Sequence, residues 1–214
     1  MRILFVNPNS TEAMTETIAE AARAVAAPDV EIIARTNAAG PASIQGEADG
    51  AAALPGLLAE IAKVPEADAV VIACFDDTGL EQARAAAACP VIGIGEAAYH
   101  AAELLGRPYS VVTTLAVSVP ILEANLTAYG LRHCVRVRAS GVAVLDIDGA
   151  EPKISAEVAR AIAEDGVGTI VLGCAGMADL PERLGRAHGV PVIDGVTAAC
   201  GLARALASLT RRAE

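Results

Sequence analysis

The feature that most constrains the fold is a regular alternation of short apolar runs with longer segments of helical propensity. The apolar runs are continuous, which is typical of strands buried on both faces of a parallel sheet. Eight such runs occur, at residues 2–6, 30–34, 68–73, 91–94, 109–113, 135–139, 169–173 and 190–193. Segments that favour helix lie near residues 11–27, 47–62, 78–88, 117–129, 155–165, 179–188 and 196–210. The pattern predicts an α/β fold with parallel sheets covered by helices.

The second half of the chain repeats the first. ACPVIGIGEAA at residues 88–98 has the same pattern as HGVPVIDGVTAA at residues 188–199, and Pro90 and Pro191 each open a strand. The offset between these prolines is 101 residues (191 − 90). Since no low-complexity linker separates the repeats, we expect two pseudo-symmetric α/β domains that face each other closely.

The expected domain boundaries follow from this symmetry. A helix follows the fourth strand of each domain, and pseudo-symmetry predicts that this helix crosses to the other domain. The final helix, near residues 196–210, would then pack on the first domain. We therefore expect the first domain to comprise residues 1–95 plus 200–214, and the second to comprise residues 96–199.

Two cysteines occupy matching positions in the repeat. Cys74 follows the strand in AVVIACFDD and Cys174 follows the strand in TIVLGCAGM, at an offset of 100 residues (174 − 74). Ligands of parallel α/β sheets bind beyond the carboxyl ends of the strands, where both thiols are expected. In facing domains, the two thiols would approach one substrate from opposite sides. The N-terminus of a following helix is expected to favour each thiolate.

Two thiols on opposite faces of one carbon suit racemisation or epimerisation. One thiolate removes a proton from a stereocentre beside a carbonyl, and the opposing thiol returns a proton to the other face. A free cysteine has a pKa of about 8.5, so a modest downward shift would make it an effective base near neutrality. Backbone N–H groups in the turns after strands can stabilise the developing enolate.

Charge and hydropathy argue against several other classes of function. The net charge of −10 disfavours nucleic acid and anionic membranes as partners, because both require a basic surface. No apolar run approaches the length of a membrane span, and the apolar start of the chain is too short for a signal peptide. We therefore expect a cytoplasmic protein whose five cysteines are reduced.

The sequence gives no support for a metal or an organic cofactor. It contains no CxxC motif and no Cys/His pair with zinc spacing. The two lysines, Lys63 and Lys153, lie away from the strand ends where pyridoxal phosphate chemistry would need them. GIGEAA at residues 93–98 matches a dinucleotide-binding loop, but the acidic residue expected about twenty positions later is missing. We expect neither a cofactor nor a metal.

Several motifs together resemble one enzyme family. They are NPNST after the first strand, VIACFDDTGL, VVTTLAVSVPI, VLGCAGM and GVPVIDGVTAA. From residue 2 to about residue 205, the chain is similar in register to the hydantoin racemases of the aspartate/glutamate racemase superfamily, with allantoin racemases as close relatives. One departure is Thr78, which stands where many members have proline.

The resemblance implies two pseudo-symmetric, flavodoxin-like domains with the active site in the cleft between them, without cofactor or metal. The catalytic pair of the family would be Cys74 and Cys174. The implied substrate contacts are Asn9, Phe75, Asp76, Thr113, Thr114, Ala175 and Gly176. Asn9 could contact the substrate, cap the first helix, or do both. Asp76 and Asp77 could instead be solvated turn residues. A carboxylate raises the pKa of a nearby thiol, so we expect Asp76 to form hydrogen bonds rather than transfer protons.

Several functions are compatible with these residues. The first is cofactor-independent racemisation of 5-monosubstituted hydantoins, and the second is racemisation of allantoin or a free amino acid such as aspartate or glutamate. The motif loops lack Arg and Lys, which favours a neutral ring. Decarboxylation or cis-trans isomerisation would need only one thiol, and a non-enzymatic two-lobed binding protein would need neither. We expect a small-molecule substrate and a homo-oligomer.

Overall fold

The structure is a computed structural model of the chain and describes residues 1–210. It contains two four-stranded parallel sheets, in the orders β2-β1-β3-β4 and β6-β5-β7-β8. The strands are β1 (Arg2–Asn7), β2 (Glu31–Thr36), β3 (Ala69–Ile72), β4 (Val91–Gly93), β5 (Tyr109–Thr113), β6 (Cys134–Ala139), β7 (Thr169–Gly173) and β8 (Val192–Asp194). The predicted α/β fold with two matching parallel sheets is confirmed.

Helices connect consecutive strands. They are α1 (Glu12–Val25), α2 (Glu47–Ala62), α3 (Leu80–Ala86), α4 (Ile94–Leu104), α5 (Val119–Ala128), α6 (Glu151–Asp165), α7 (Pro181–His188) and α8 (Gly195–Thr210). Short 3₁₀ turns cover Ala116–Ser118, Val144–Asp146 and Ala175–Met177. The predicted helices are confirmed, although α6 begins four residues before the predicted start. Pro152 explains the earlier start, because proline is well tolerated in the first turn of a helix.

The central strands are buried on both faces. Every residue of β3, β5 and β7 is buried, as the continuous apolar runs predict. Each sheet places its first strand in the middle, between the second and third strands, so the two halves share one topology. No helix within residues 1–210 is long and apolar enough to span a membrane.

The helices that follow the fourth strands exchange between the sheets. Helix α4 contacts β7 and β8 of the second sheet, and α8 contacts β3 and β4 of the first. The two helices also pack against each other, and the Cys200 thiol of α8 donates a hydrogen bond to the Ala22 carbonyl of α1 (3.6 Å). The expected crossover is therefore present. The boundaries 1–95 plus 200–214 and 96–199 stay a prediction, and residues 211–214 of that division lie outside the described residues.

The second half contains a buried ionic cluster. The Arg138 side chain, on β6, is 5% exposed and donates to both oxygens of Asp165 (2.6 and 2.7 Å) and to Glu157 (3.2 Å). The matching residue on β2 is Arg35, since β2 and β6 begin 103 residues apart (134 − 31). The Arg35 side chain is 42% exposed and lies 3.5 Å from Glu60. The same strand position therefore has a buried ionic role in one half and a surface role in the other.

Candidate active site

Loops from both sheets meet around a small cavity of about 30 Å³. All of its lining except Met14, which lies on α1, comes from the segments just beyond the carboxyl ends of strands or from the last residue of a strand. The lining residues are Asn9, Met14, Ile44, Ala73, Cys74, Phe75, Asp76, Thr114, Ser118, Val144, Gly173, Cys174 and Ala175. The structure thus brings Cys74 and Cys174, which are 100 residues apart (174 − 74), to one cavity.

A larger groove lies elsewhere and lacks this arrangement. It measures about 590 Å³ and runs along the amino ends of β3 and β4, with Cys89 as the one thiol among its described lining residues. Two-sided proton transfer needs an acid–base group on each face of the reacting carbon. The small cavity offers one thiol from each half of the chain, so it is the better candidate despite its size.

The loop after β3 is held by a buried carboxylate. The Asp77 N–H donates to the Cys74 carbonyl (3.0 Å), which closes a tight turn. The Asp77 carboxylate accepts hydrogen bonds from the N–H groups of Gly95 (2.9 Å) and Glu96 (2.8 Å) and from the Tyr129 hydroxyl (2.8 Å). A Cβ at Gly93 would collide with this carboxylate, so the strand end must be glycine. The reading of Asp77 as a solvated turn residue is wrong, because it is buried and caps α4.

The loop after β7 makes a similar turn with small and apolar residues. The Met177 N–H donates to the Cys174 carbonyl (3.1 Å), and residues 175–177 form a 3₁₀ turn. Gly173 precedes the cysteine because a Cβ there would lie 2.8 Å from the Thr113 Cβ. The Thr113 hydroxyl donates to the Gly173 carbonyl (2.8 Å), which ties β5 to the cysteine-bearing strand.

The pKa values of the two thiols differ from the expected ones. Burial raises the pKa of Cys74 far above its ordinary value, and the Asp76 carboxylate raises it further. Burial likewise raises the pKa of Cys174 to about 12, with a smaller contribution from Asp76. The expected downward shift in thiol pKa from a helix N-terminus is therefore wrong for these two buried cysteines, because desolvation of the thiolate outweighs the nearby donors.

Donors to the sulfur atoms partly offset this burial. The backbone N–H of Asp76 beside Cys74, and that of Gly176 beside Cys174, each lower the pKa of the thiol. The Thr78 hydroxyl donates a hydrogen bond to the Cys74 sulfur (3.4 Å). Each sulfur therefore lies near the N–H of the residue two positions later, a feature that stabilises negative charge there.

Asp76 is the charged side chain of the cavity lining. Burial raises its pKa to about 6, while a hydrogen bond from the Ser118 hydroxyl (3.3 Å) lowers it. The Asn125 side-chain amide donates to the Asp76 carbonyl (3.0 Å). Because Ser118 and Asn125 belong to the other half of the chain, the Cys74 loop is held from across the cavity. The expected hydrogen-bonding role of Asp76 agrees with these contacts, and its role toward a substrate stays a prediction.

The structure brings most of the predicted site residues together. Phe75, Thr114 and Ala175 line the cavity with both cysteines, and so does Asn9. The Asn9 oxygen accepts the Thr11 N–H (2.9 Å) at the start of α1, so Asn9 both stabilises the helix start and lines the cavity.

Two predicted contacts lie outside the cavity lining. Thr113 is buried with its hydroxyl engaged by Gly173. Gly176 lies in the wall of a neighbouring groove, and it reaches the Cys174 sulfur through its backbone N–H. Direct substrate contact by either residue remains a prediction that the lining does not support.

Sequence reasoning missed six lining residues, namely Met14, Ile44, Ala73, Ser118, Val144 and Gly173. Ser118 lies within the VVTTLAVSVPI motif, and Ala73 and Gly173 directly precede the two cysteines, so these motifs were the available signal. Ile44 and Val144 lie in the loops after β2 and β6, the corresponding strands of the two halves. Including these two loops in the predicted site would have drawn attention to both residues.

The described cavity lining offers no cation and no metal site. Within residues 1–210, no group of three or more His, Cys, Asp or Glu side chains could hold a metal ion. Neither Lys nor Arg occurs among the lining residues that the structure describes, which are neutral apart from Asp76. The arrangement can therefore move protons between two sulfurs across a neutral, hydrogen-bonding ligand.

Comparisons with known proteins show the family of the chain. The family model described as Asp/Glu/Hydantoin racemase matches residues 3–203. A hydantoin racemase from Rhizobium meliloti is 49% identical, covering 96% of this chain and 88% of the relative.

Two solved structures are also similar. One is described as an allantoin racemase from Klebsiella pneumoniae, with 46% identity, a TM-score of 0.93 and coverage of 98% of this chain and 88% of that chain. The other is an allantoin racemase from Pseudomonas fluorescens, with 42% identity, a TM-score of 0.94 and coverage of 98% and 92%.

Proposed function

Because the chain belongs to the Asp/Glu/hydantoin racemase family and is a racemase, we propose that it racemises 5-monosubstituted hydantoins without a cofactor, using Cys74 and Cys174 as paired acid and base. One observation carries the proposal. Both thiols line a single cavity whose described lining contains no cation.

The proposed reaction is a proton transfer across the ring carbon C5. One cysteine, as thiolate, takes the C5 proton, and the electron pair of the broken C–H bond moves into the adjacent C4 carbonyl to give a planar enolate. The other cysteine, as thiol, gives its proton to the opposite face of C5. Turnover leaves the proton on the first cysteine, so the enzyme is then ready for the opposite enantiomer.

The charge of the lining favours a ring over a free amino acid. The carboxylate of a free amino acid would lie in a buried site beside Asp76, without a cationic partner among the described lining residues. The N–H groups of a hydantoin ring are instead donors that the Asp76 carboxylate can accept. The Asn9 side-chain NH₂ group, which contacts the Met14 sulfur (3.2 Å), is a donor for a ring carbonyl. The amino-acid alternative is therefore disfavoured.

Allantoin is the second candidate substrate. Allantoin is a hydantoin with a ureido group on C5, so the same proton transfer applies. The similarity to the two structures described as allantoin racemases supports it. Family membership argues against the non-enzymatic binding protein, and the pairing of two thiols favours racemisation over decarboxylation or cis-trans isomerisation, which need one.

The decisive test separates the two cysteines. Single enantiomers of 5-substituted hydantoins, allantoin and L-aspartate are incubated in D₂O without cofactor, and optical rotation and deuterium at the stereocentre are followed. Cys74→Ser and Cys174→Ser should each reduce racemisation by about 10²–10⁴-fold, because serine is a far weaker acid and base. Each variant should still exchange deuterium into one enantiomer, and the two variants should act on opposite enantiomers.

Cys89→Ser is the matched control, because Cys89 lies outside the cavity, and it should keep wild-type activity. Exchange of the same enantiomer by both cavity variants would contradict the facing-thiol mechanism. Racemisation of L-aspartate alone would contradict the proposed substrate class.

A further inference from the structure

Two aliphatic residues from corresponding loops of the two halves line the candidate active site. Ile44 lies in the loop after β2, and Val144 lies in the loop after β6. Each is 7% exposed. Both halves therefore contribute one thiol and one aliphatic side chain to the same cavity.

Hydrogen bonds on both sides fix the position of Ile44. Before it, the Ala42 carbonyl accepts a hydrogen bond from the Thr11 hydroxyl (2.7 Å). After it, the Gln45 N–H donates to the Asp49 carboxylate at the start of α2 (3.0 Å). These two hydrogen bonds fix the backbone on both sides of Ile44 and so hold its side chain at the cavity.

The loop of Val144 is anchored in a comparable way. The Gly141 N–H donates to the Thr114 carbonyl (2.9 Å), next to β5. The Asp146 N–H donates to the Ala143 carbonyl (2.9 Å), which closes the 3₁₀ turn that begins at Val144. Val144 therefore also presents a fixed apolar surface.

The symmetry of these pairs matches the symmetry of the reaction. In the planar intermediate, the C5 substituent lies in the plane that separates the two thiols, and it occupies the same place whichever enantiomer was bound. A substituent near the pseudo-symmetry axis would be flanked by one residue from each half. Ile44 and Val144 come from the corresponding loops after β2 and β6 and line one cavity, so they suit that flanking position.

The chemistry of the pair then selects the substituent. A ureido group carries several N–H and C=O groups, and burying them between two aliphatic side chains leaves hydrogen bonds unmade. An alkyl group instead gains from the same burial.

We propose that Ile44 and Val144 form the seat for the C5 substituent and select short aliphatic groups over the ureido group of allantoin. This inference rests on the proposed function and names its substrate class: hydantoins that carry a small branched or unbranched alkyl group at C5.

The test compares kcat/KM for racemisation of 5-methylhydantoin, 5-isopropylhydantoin, 5-benzylhydantoin and allantoin. The wild type should prefer the two alkyl substrates. Val144→Thr keeps the shape of the side chain and adds a hydroxyl, so it should lower the isopropyl-to-allantoin ratio by about tenfold. Ile44→Ala widens the seat and should raise the benzyl-to-methyl ratio by a similar factor.

Val142→Thr is the matched control. Val142 is buried in the same loop but is not part of the cavity lining, so the identical change should leave every ratio unchanged. Ratios rather than absolute rates are compared because they are insensitive to the fraction of folded enzyme, and circular dichroism verifies the fold of each variant.

The outcomes separate this inference from the proposed function. A wild type that racemises hydantoins but prefers allantoin overturns the substituent seat and leaves the racemase intact. Equal changes in every substrate for Val144→Thr, together with an unchanged benzyl-to-methyl ratio for Ile44→Ala, also overturn it. A wild type that racemises none of the rings contradicts the proposed function itself, and the inference with it.

Discussion

The two loops that carry the cysteines, CFDDT at residues 74–78 and CAGMA at residues 174–178, make the same turn with different side chains. In both loops, the N–H two positions after the cysteine reaches its sulfur. In both, the N–H three positions later bonds its carbonyl, at 3.0 and 3.1 Å. The first loop has two carboxylates and a hydroxyl where the second has glycine, methionine and alanine. The repeat therefore preserves backbone geometry around the sulfur while the charge around it differs.

In each half, an aspartate caps the helix that crosses to the other sheet, but the aspartate comes from a different position. Asp77, from the loop after β3, caps α4, whereas Asp194, the last residue of β8, accepts the Thr197 N–H (2.9 Å) at the start of α8. The equivalent of Asp194 in the first half is Gly93 (194 − 101), and the equivalent of Asp77 in the second half is Met177 (77 + 100). Each half thus retains one cap, supplied by a different strand end. Both halves therefore have a capped helix N-terminus, but the residues that cap it are not equivalent.

The largest expected difference between the halves concerns the matched arginines. Arg138→Met should lower the free energy of unfolding by about 3–5 kcal/mol, because Asp165, whose side chain is 1% exposed, loses its two hydrogen bonds from Arg138 and Glu157 keeps only the exposed Arg160. Arg35→Met should cost less than about 1 kcal/mol, because Arg35 is 42% exposed and Glu60 keeps its ion pair with Lys63 (2.6 Å). Urea denaturation at pH 7 measures both.

The dependence on pH sharpens this prediction. Hydrogen bonds from Arg138 hold the pKa of Asp165 below its ordinary value. A carboxyl with a lowered folded pKa stabilises the protein above its unfolded pKa and loses that contribution as pH falls through the folded value. The difference in the free energy of unfolding between Arg138→Met and Arg35→Met should therefore become smaller in acid. Equal losses for both arginines at pH 7 would show that the halves do not differ as described.

The two helix caps should differ in their effect on catalysis. Asp77→Ala and Asp194→Ala should each cost about 1–2 kcal/mol of stability, since each removes an acceptor from a helix start. Asp77 also anchors the loop of Cys74, so Asp77→Ala should lower kcat as well, by about tenfold through a misplaced base. Asp194→Ala should keep the wild-type kcat at a temperature where it is folded. Equal kcat values for the two variants would show that the cap of α4 does not position Cys74.

The smallest expected effect is a shift in a pH profile. The Asp76 carboxylate raises the pKa of both thiols, so Asp76→Asn should move the rise of kcat/KM with pH toward lower pH. Burial raises the pKa of Asp76 to about 6, so its charge is lost below that value in the wild type. The two profiles should therefore converge below about pH 6 and separate above it. A shift toward higher pH, or a constant offset at every pH, would contradict the assigned electrostatic role.

Much of the fold was predictable because its signals are local. Continuous apolar runs identify the buried strands, and the offset between Cys74 and Cys174 identifies the repeat. The tight turn and cap at Asp77 were missed because its partners Gly95 and Tyr129 lie 18 and 52 residues away. The direction of the thiol pKa shifts was wrong for a related reason. Desolvation depends on how completely the other loops cover the sulfur, and this is a property of the packed molecule.

The exchange of α4 and α8 ties the folding of the halves together. A chain cut between α4 and β5 would give two fragments, each with a sheet that lacks its crossing helix and with a helix that belongs on the other sheet. Mixed together, the fragments could complement each other by trading those helices, whereas each alone would leave apolar sheet surface in water. Circular dichroism of the separate and mixed fragments would follow this reassembly. The two thiols would then meet only in the reassembled pair, so the onset of activity would report the docking of the halves.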